Sequence, residues 1–168
     1  MKTKTILVIL VLASAIQAQQ ANTQTPEQQH CAMMKRGDAG MGFSHEKTTN
    51  HFVLLKDGGA IQVSVNDPKD DTSRDQIRMH LSHIGKMFSD GDFNVPMFIH
   101  DTTPPGVPTM VKLHSEIRYQ YQQTDGGAKI MISTTNPKAL QAVHEFLRFQ
   151  IDDHQTGDST EVSVTGKK

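Results

Sequence analysis

The sequence predicts a single α+β domain in which a four-stranded antiparallel sheet is backed by two helices. Two segments of alternating apolar and polar residues each contain an Asp-Gly-Gly-Ala motif, beginning at Asp57 and at Asp125. Each segment is followed by Pro-Lys, at Pro68 and at Pro137, and then by apolar residues at helical spacing. The predicted element order is therefore ββα-ββα, with both helices on one face of the sheet. We expect this globular domain to span residues 41–156, with a Pro-rich crossover between its two halves.

Each alternating segment predicts one β-hairpin. An Asp-Gly pair between two alternating runs is a strong hairpin signal, because the central residues of such a turn take positive φ values. One face of each hairpin is apolar and the other is mostly polar, as expected for an antiparallel sheet with helices on one side. The residues predicted to face the helices are Phe52, Leu54, Ile61, Val63, Val65, Tyr119, Tyr121, Ile130 and Ile132.

The two helical patterns begin after the Pro-Lys pairs, which stop the strands and open the helices. The first helix is expected from about Ser73 to Ser89, and the second is expected to end at about Asp153. Each has one apolar stripe, as a helix packed on a sheet requires. The stripes consist of Ile77, Leu81, Ile84 and Phe88 in the first helix, and of Leu140, Val143, Leu147 and Ile151 in the second. The likeness of the two halves has two explanations, an internal duplication or a chance resemblance between two common units.

The crossover between the halves, residues 92–115, is rich in proline, which excludes a long helix or a central strand there. Its prolines are Pro96, Pro104, Pro105 and Pro108. Its apolar residues indicate that it packs against the domain, and they include Phe93, Val95, Met97, Phe98 and Ile99. We therefore expect an ordered crossover with a short helix at about Thr109 to His114.

The two ends of the chain differ in character from the domain. Residues 1–18 have a positive start, an apolar run and a small-residue exit, the three parts of a secretory signal peptide. The apolar run is shorter than the roughly 20 residues that span a bilayer, so we expect no stable membrane anchor. We expect a periplasmic or secreted protein. Residues 19–40 are predicted to form a flexible arm and residues 157–168 a disordered tail, because both are polar and lack apolar periodicity.

The charge balance limits the classes of partner. Two of the 17 basic residues, Lys2 and Lys4, fall in the signal peptide, so 15 remain against 18 acidic residues. A net negative domain argues against nucleic acid, which requires a basic face. The single cysteine, Cys31, excludes an internal disulfide. It leaves a homodimer link, a metal ligand or no role, and we expect the first or the last. The sequence identifies no other protein partner.

Histidine and methionine are over-represented, and this skew is the main functional signal. The chain has nine His and nine Met, all but the initiating Met in the mature part. His80 and His83 lie three residues apart on the first helix and therefore share a face. His100 lies on the crossover between Met97 and Met110. Imidazole and thioether groups bind transition metals, and soft thioethers favour copper. We therefore expect His80, His83, His100, Met97 and Met110 to supply the ligands of a copper site, with at least three of them converging on one point.

Two other hypotheses stand beside the metal site. A helix-backed sheet leaves a polar face and edges for a small ligand or a protein, which would make the chain a non-metal binding or interaction module. Non-covalent haem, with His and Met as axial ligands, is the minor alternative. His154, near the end of the second helix, suits a protonated imidazole that interacts with the helix dipole. No catalytic motif occurs, so no residue set indicates a reaction and we expect a binding protein rather than an enzyme.

Three stretches of the sequence resemble small exported bacterial proteins of undefined role. They are Met-Gly-Phe-Ser-His-Glu-Lys-Thr-Thr at 41–49, Gln-Ile-Arg-Met-His-Leu-Ser-His at 76–83 and Glu-Phe-Leu-Arg-Phe-Gln at 145–150. The resemblance covers roughly residues 41–158. It implies a bacterial source and a periplasmic location, and it implies no activity, ligand or site residue.

Overall fold

The computed structural model describes residues 25–163. The predicted signal peptide and the start of the predicted arm lie outside the described residues, as does the end of the predicted tail. The described part is a single α+β domain with one four-stranded antiparallel sheet, as predicted. The strands are β1 (Thr48–Leu55), β2 (Gly58–Val65), β3 (Ile117–Thr124) and β4 (Gly127–Thr134). Their order in the sheet is β1-β2-β4-β3, so the two hairpins meet along β2 and β4.

Both predicted hairpins are present, but the predicted conformation of their turns is wrong. Leu55 pairs with Gly58, so the turn of the first hairpin is Lys56-Asp57 rather than Asp57-Gly58. Neither turn residue has a positive φ, and the same holds for Asp125-Gly126 in the second hairpin. The motif therefore predicted the position of the chain reversal and not its backbone geometry.

Five helices accompany the sheet in the described part of the chain. They are α1 (Pro26–Met41), α2 (Asp71–Ser89), α3 (Asn94–His100), α4 (Val107–Lys112) and α5 (Pro137–His154). The two long helices α2 and α5 are the predicted ones, and each has a side-chain cap. The Asp70 carboxylate accepts a hydrogen bond from the backbone N–H of Ser73, and the Asn136 side chain accepts from Lys138 and Ala139. These caps satisfy N–H groups that have no partner within the helix.

Each long helix covers the hairpin of the other half of the chain. Helix α2 follows β2 but packs mainly on β3 and β4, whereas α5 follows β4 and packs mainly on β1 and β2. All four residues of the predicted α2 stripe are buried, as are Val143, Leu147 and Ile151 of the α5 stripe. Each half therefore depends on the helix of the other half to bury the apolar face of its hairpin, and this burial is the main driving force of folding.

Two polar side chains fasten the helices to the hairpin ends. The Nε2–H of His144, on α5, donates to the carbonyl oxygens of Leu55 and Gly58 at 2.9 Å and 3.0 Å. On α2, the guanidinium of Arg78 donates to the carbonyl oxygens of Thr124 and Gly127 at 3.0 Å and 3.2 Å. His144 is therefore a structural residue, buried and bonded to the backbone of the first hairpin.

Helix α1 occupies most of the segment predicted to be a flexible arm, residues 19–40, and the prediction differs from the structure over residues 26–40. Thr25 and Gln28 form a capping box that starts the helix, a signal present in the sequence. The Nε–H of Arg36 donates to the carbonyl oxygen of Ile99 at 2.8 Å, and α1 packs along α3. The arm is therefore part of the folded domain.

The predicted disordered tail, residues 157–168, also differs from the structure up to its last described residue. The carboxylate of Asp158 accepts a hydrogen bond of 2.9 Å from the backbone N–H of Phe52. The N–H of Ser163 donates to the carbonyl oxygen of Leu54 at 2.8 Å, which adds an isolated bridge to the edge of β1. Backbone pairing at a sheet edge orders a polar segment that has no apolar pattern of its own.

The crossover is ordered, as predicted, and contains two short helices instead of one. The expected helix lies slightly earlier, as α4, and a single 3₁₀ turn, His114–Glu116, leads into β3. Helix α3 was not predicted because its seven residues show no strong apolar stripe, and Pro96 was taken to exclude only a long helix. This proline lies in the first turn of α3, where an N–H group has no acceptor to lose.

Substitution of Gly106 tests how closely the crossover packs against α5. Its φ is 82°, and a Cβ there would lie 2.0 Å from the carbonyl oxygen of Ala142. Gly42 is a matched control, since its φ is 77° and nothing lies within 4 Å of a Cβ placed there. We expect Gly42→Ala to lower the free energy of unfolding by about 1–2 kcal/mol, the cost of a left-handed non-glycine residue.

Gly106→Ala carries at least this backbone cost, because its ψ of −30° lies outside the left-handed helical region that Gly42 occupies, and a steric clash in addition. We expect it to lower the free energy of unfolding by at least about 2 kcal/mol more than Gly42→Ala does, measured by urea denaturation. Equal effects of the two substitutions would contradict the close contact between the crossover and α5.

Candidate ligand-binding site

A partly open pocket of about 70 Å³ lies between the helix-covered face of the first hairpin and helices α2, α3 and α5. Its wall is mainly apolar, formed by side chains such as Phe52, Ile61, Val63, Ile84 and Phe146. Five polar side chains also line it, and they are Asn50, His80, His100, Gln150 and His154. Among the residues that the structure describes, no Asp, Glu, Lys or Arg lines this pocket.

Asn50 brings a polar group onto the core face of the sheet. It lies on β1 two residues before Phe52 and four before Leu54, so all three side chains point to the same side of the strand. Its Oδ1 atom is buried, and no hydrogen-bond partner is found for it within residues 25–163. A buried acceptor without a partner costs about 1–3 kcal/mol. Asn50 therefore lowers the stability of the fold relative to an apolar residue at the same position.

Gln150 brings a second amide to the pocket from α5. Its side-chain carbonyl oxygen, Oε1, lies 3.1 Å from Nε2 of His100. The residue is only 5% exposed, and its Nε2 atom has no hydrogen-bond partner in the described chain. One end of the amide is thus held by the protein while the other end is left unpaired. Buried side-chain amides normally have both ends paired.

His80 faces the pocket from α2 and is largely buried. The edge of its ring contacts Phe43, with 5.6 Å between the ring centroids. Burial lowers the pKa of His80 to about 4, with a smaller contribution from the nearby His83. The imidazole is therefore neutral at neutral pH, with one nitrogen that donates and one that accepts.

His154 is also a neutral imidazole, which corrects the prediction of a protonated residue at the end of α5. Burial is the main cause that lowers its pKa to about 4, and His100 and His30 lower it further, whereas Asp153 opposes them. Its ring lies 5.7 Å from that of Phe52 and 5.1 Å from that of His100, measured between centroids. The cost of burying a charge exceeds the attraction of the helix dipole here.

His100 forms part of the wall between this pocket and a more polar one of about 420 Å³ between α1 and α5. Its Nδ1–H donates to the Asp153 carboxylate, with 2.6 Å between Nδ1 and Oδ2. Its Nε2 lies 3.1 Å from Oε1 of Gln150, and because both partners of the ring are oxygen acceptors, both contacts are hydrogen bonds only when Nδ1 and Nε2 each carry a proton. The polar pocket is lined by side chains that include His30, Arg36, Asp101 and Asp152.

Two of the five predicted metal ligands, His80 and His100, meet at the pocket. The other three lie elsewhere: His83 is exposed on α2, Met97 is 36% exposed on α3, and Met110 is fully buried in the core. Within residues 25–163 no group of three or more His, Cys, Asp or Glu side chains is arranged to hold a metal ion. Copper binding by His80, His83, His100, Met97 and Met110 stays a prediction.

The sequence did not single out Asn50 or Gln150, and it singled out His154 only for the helix dipole, although each interrupts an apolar pattern. Asn50 occupies a core-facing position of β1. Gln150 lies three residues after Leu147, and His154 lies three residues after Ile151, so both continue the buried stripe of α5. A polar residue at a position that the pattern assigns to the core was the signal that could have found them.

Comparisons of the chain with protein families, curated proteins and solved structures give no match. None of the helices within the described residues is both long and apolar enough to cross a membrane. The site must therefore be interpreted from its own chemistry.

The two neutral histidines predict a loss of stability in mild acid. Their pKa is about 4 in the folded protein and ordinarily 6.5, so between these values the unfolded chain binds more protons. We expect the free energy of unfolding to fall as the pH is lowered from about 6.5 to about 4, by up to about 1.4 kcal/mol per pH unit for each residue.

Urea denaturation at several pH values measures this slope. His80→Leu should make the slope shallower, whereas His83→Leu, which removes only the smaller of the two causes that lower the pKa of His80, should change it much less. A stability that does not change between pH 7 and pH 4 would show that the two imidazoles are not held neutral by burial.

Proposed function

We propose that this protein is an exported binding protein for a small uncharged molecule with an apolar body, held in the pocket between the first hairpin and helices α2, α3 and α5. The observation that carries the proposal is a partly open, mainly apolar pocket into which a few polar side chains converge. This combination is the usual character of small-molecule sites.

The electrostatics of the pocket favour an uncharged ligand. Burial keeps His80 and His154 neutral, and within the described residues no acidic side chain, Lys or Arg lines the pocket. A charged ligand would lose its hydration without gaining a partner of opposite charge, which is costly in an apolar site. An apolar body gains about 25 cal/mol for each Å² that it removes from water.

The volume of the pocket limits the part of the ligand that enters it. A cavity needs at least about 10–15 Å³ of this volume to hold a single water, so about 70 Å³ accommodates only a small group. The opening allows the rest of a longer ligand to extend towards solvent. A haem group would require the pocket to widen, and haem binding therefore receives less support from the geometry.

Copper binding is less well supported than binding of an uncharged ligand. It is favoured by the meeting of His80, His100 and His154 at one pocket, two of them neutral and so able to act as ligands. The predicted thioether ligands Met97 and Met110 do not line that pocket. Titration with Cu(I) and Cu(II), with His80→Ala as the control, tests it independently.

Occupation of the pocket by an apolar probe tests the proposed function. We expect 1-chlorobutane to bind the full-length chain and to shift the methyl signals of pocket residues such as Ile61, Val63 and Ile84 in ¹H–¹³C NMR spectra. Val95→Phe places a ring at the wall of the pocket and should abolish these shifts. Val111→Phe, at a residue of α4 that is 41% exposed, is the matched control and should leave them unchanged.

The affinity of so small a probe is limited to the micromolar range or weaker, because its five heavy atoms contribute at most about 1.5 kcal/mol each. Absence of the methyl shifts, or shifts that survive Val95→Phe, would contradict the proposed function.

A further inference from the structure

We infer that the pocket selects ligands that carry a hydroxyl group, which hydrogen-bonds to the unpaired amide atoms of Asn50 and Gln150. This inference rests on the proposed function and specifies the chemical class of its ligand. Its basis is that the protein itself leaves one buried donor and one buried acceptor of the pocket residues unpaired.

The amides of Asn50 and Gln150 leave one acceptor and one donor without a partner. Oδ1 of Asn50 accepts hydrogen bonds and Nε2 of Gln150 donates them, and neither atom is paired within residues 25–163. Both residues line the same pocket, Asn50 from the sheet and Gln150 from α5. A ligand that satisfies both must therefore offer a donor and an acceptor.

A hydroxyl group meets this requirement with a single atom, since its oxygen both donates and accepts. A carboxylate only accepts and an ammonium only donates, so either would leave one amide unpaired and would also bury a charge. The small volume of the pocket, about 70 Å³, favours the smallest group that performs both roles.

The positions of the two amides are set by the fold. Gln150 is held at its other end by His100, whose ring is fixed in turn by Asp153. Asn50 lies in the β1–β2 ladder, opposite Val63. Side chains held in this way lose little further freedom when a ligand binds, which favours selectivity for a small polar group.

A series of three probes of equal chain length tests the inference. We expect 1-butanol to bind the full-length protein roughly tenfold more tightly than 1-chlorobutane, because the hydroxyl pairs buried amide atoms that the chlorine atom leaves unpaired. Butanoate should bind more weakly than 1-butanol. Dissociation constants come from NMR titration of the methyl signals of the pocket.

Variants assign the preference to the amides. Gln150→Met keeps the length of the side chain and removes the amide, and it should reduce the preference for 1-butanol to about twofold or less. Gln141→Met, on the exposed face of α5, is the matched control and should preserve the preference. Asn50→Leu should also reduce the preference for 1-butanol. It is an independent test, because Asn50 lies on β1 and does not contact His100 through the amide of Gln150.

The outcomes separate this inference from the proposed function. If no probe binds, the proposed function fails. If 1-chlorobutane and 1-butanol bind equally, if butanoate binds best, or if the preference persists in both Gln150→Met and Asn50→Leu, the pocket binds small molecules but does not select a hydroxyl group, and this inference is overturned.

Discussion

The rest of this structure depends on one constraint: one face of the sheet is buried under two helices, each of which covers the hairpin of the other half of the chain. Because α2 covers the second hairpin and α5 covers the first, the apolar surface of each half is completed by the other half. The folding unit is therefore the whole domain, and the crossover must carry the chain from one half to the other. Helix α4 of that crossover packs on α5, and helix α3 completes the wall of the pocket.

The pocket is a place where this packing rule is broken by polar residues. Asn50, Gln150 and His154 occupy positions that the strand and helix periodicities assign to the core, and His80 joins them from α2. Buried polar groups reduce stability unless they are paired. Oδ1 of Asn50 and Nε2 of Gln150 have no partner within residues 25–163, and this is the basis of the proposed ligand. Natural proteins commonly accept such a loss where a ligand binds.

The sequence predicted the elements that follow from periodicity. Alternation predicted all four strands, and the stripes of Ile77 and Val143 predicted α2 and α5 with bounds within a few residues. Helices α1 and α3 escaped prediction because neither has a strong apolar stripe. Each is stabilised by contacts with distant chain, such as the hydrogen bond from Arg36 to Ile99, which a local pattern does not report.

The site was predictable only in part, for a related reason. Residue type drew attention to His80 and His100, which do reach the pocket, and equally to His83, Met97 and Met110, which do not line it. Composition shows how many potential metal-binding side chains a chain has, but not where those side chains lie in the folded protein. Asn50 and Gln150 are ordinary residues by composition, and only their position on the buried faces distinguishes them.

The central claim is that these amides serve a ligand rather than the fold, and the stability of Asn50→Leu tests it most directly. Replacing an unpaired buried amide with an apolar side chain of similar size removes a cost and adds apolar burial. We expect the free energy of unfolding in urea to be unchanged or higher than that of the wild type. A decrease of more than about 1 kcal/mol would show that Asn50 is required by the fold, and would contradict the account.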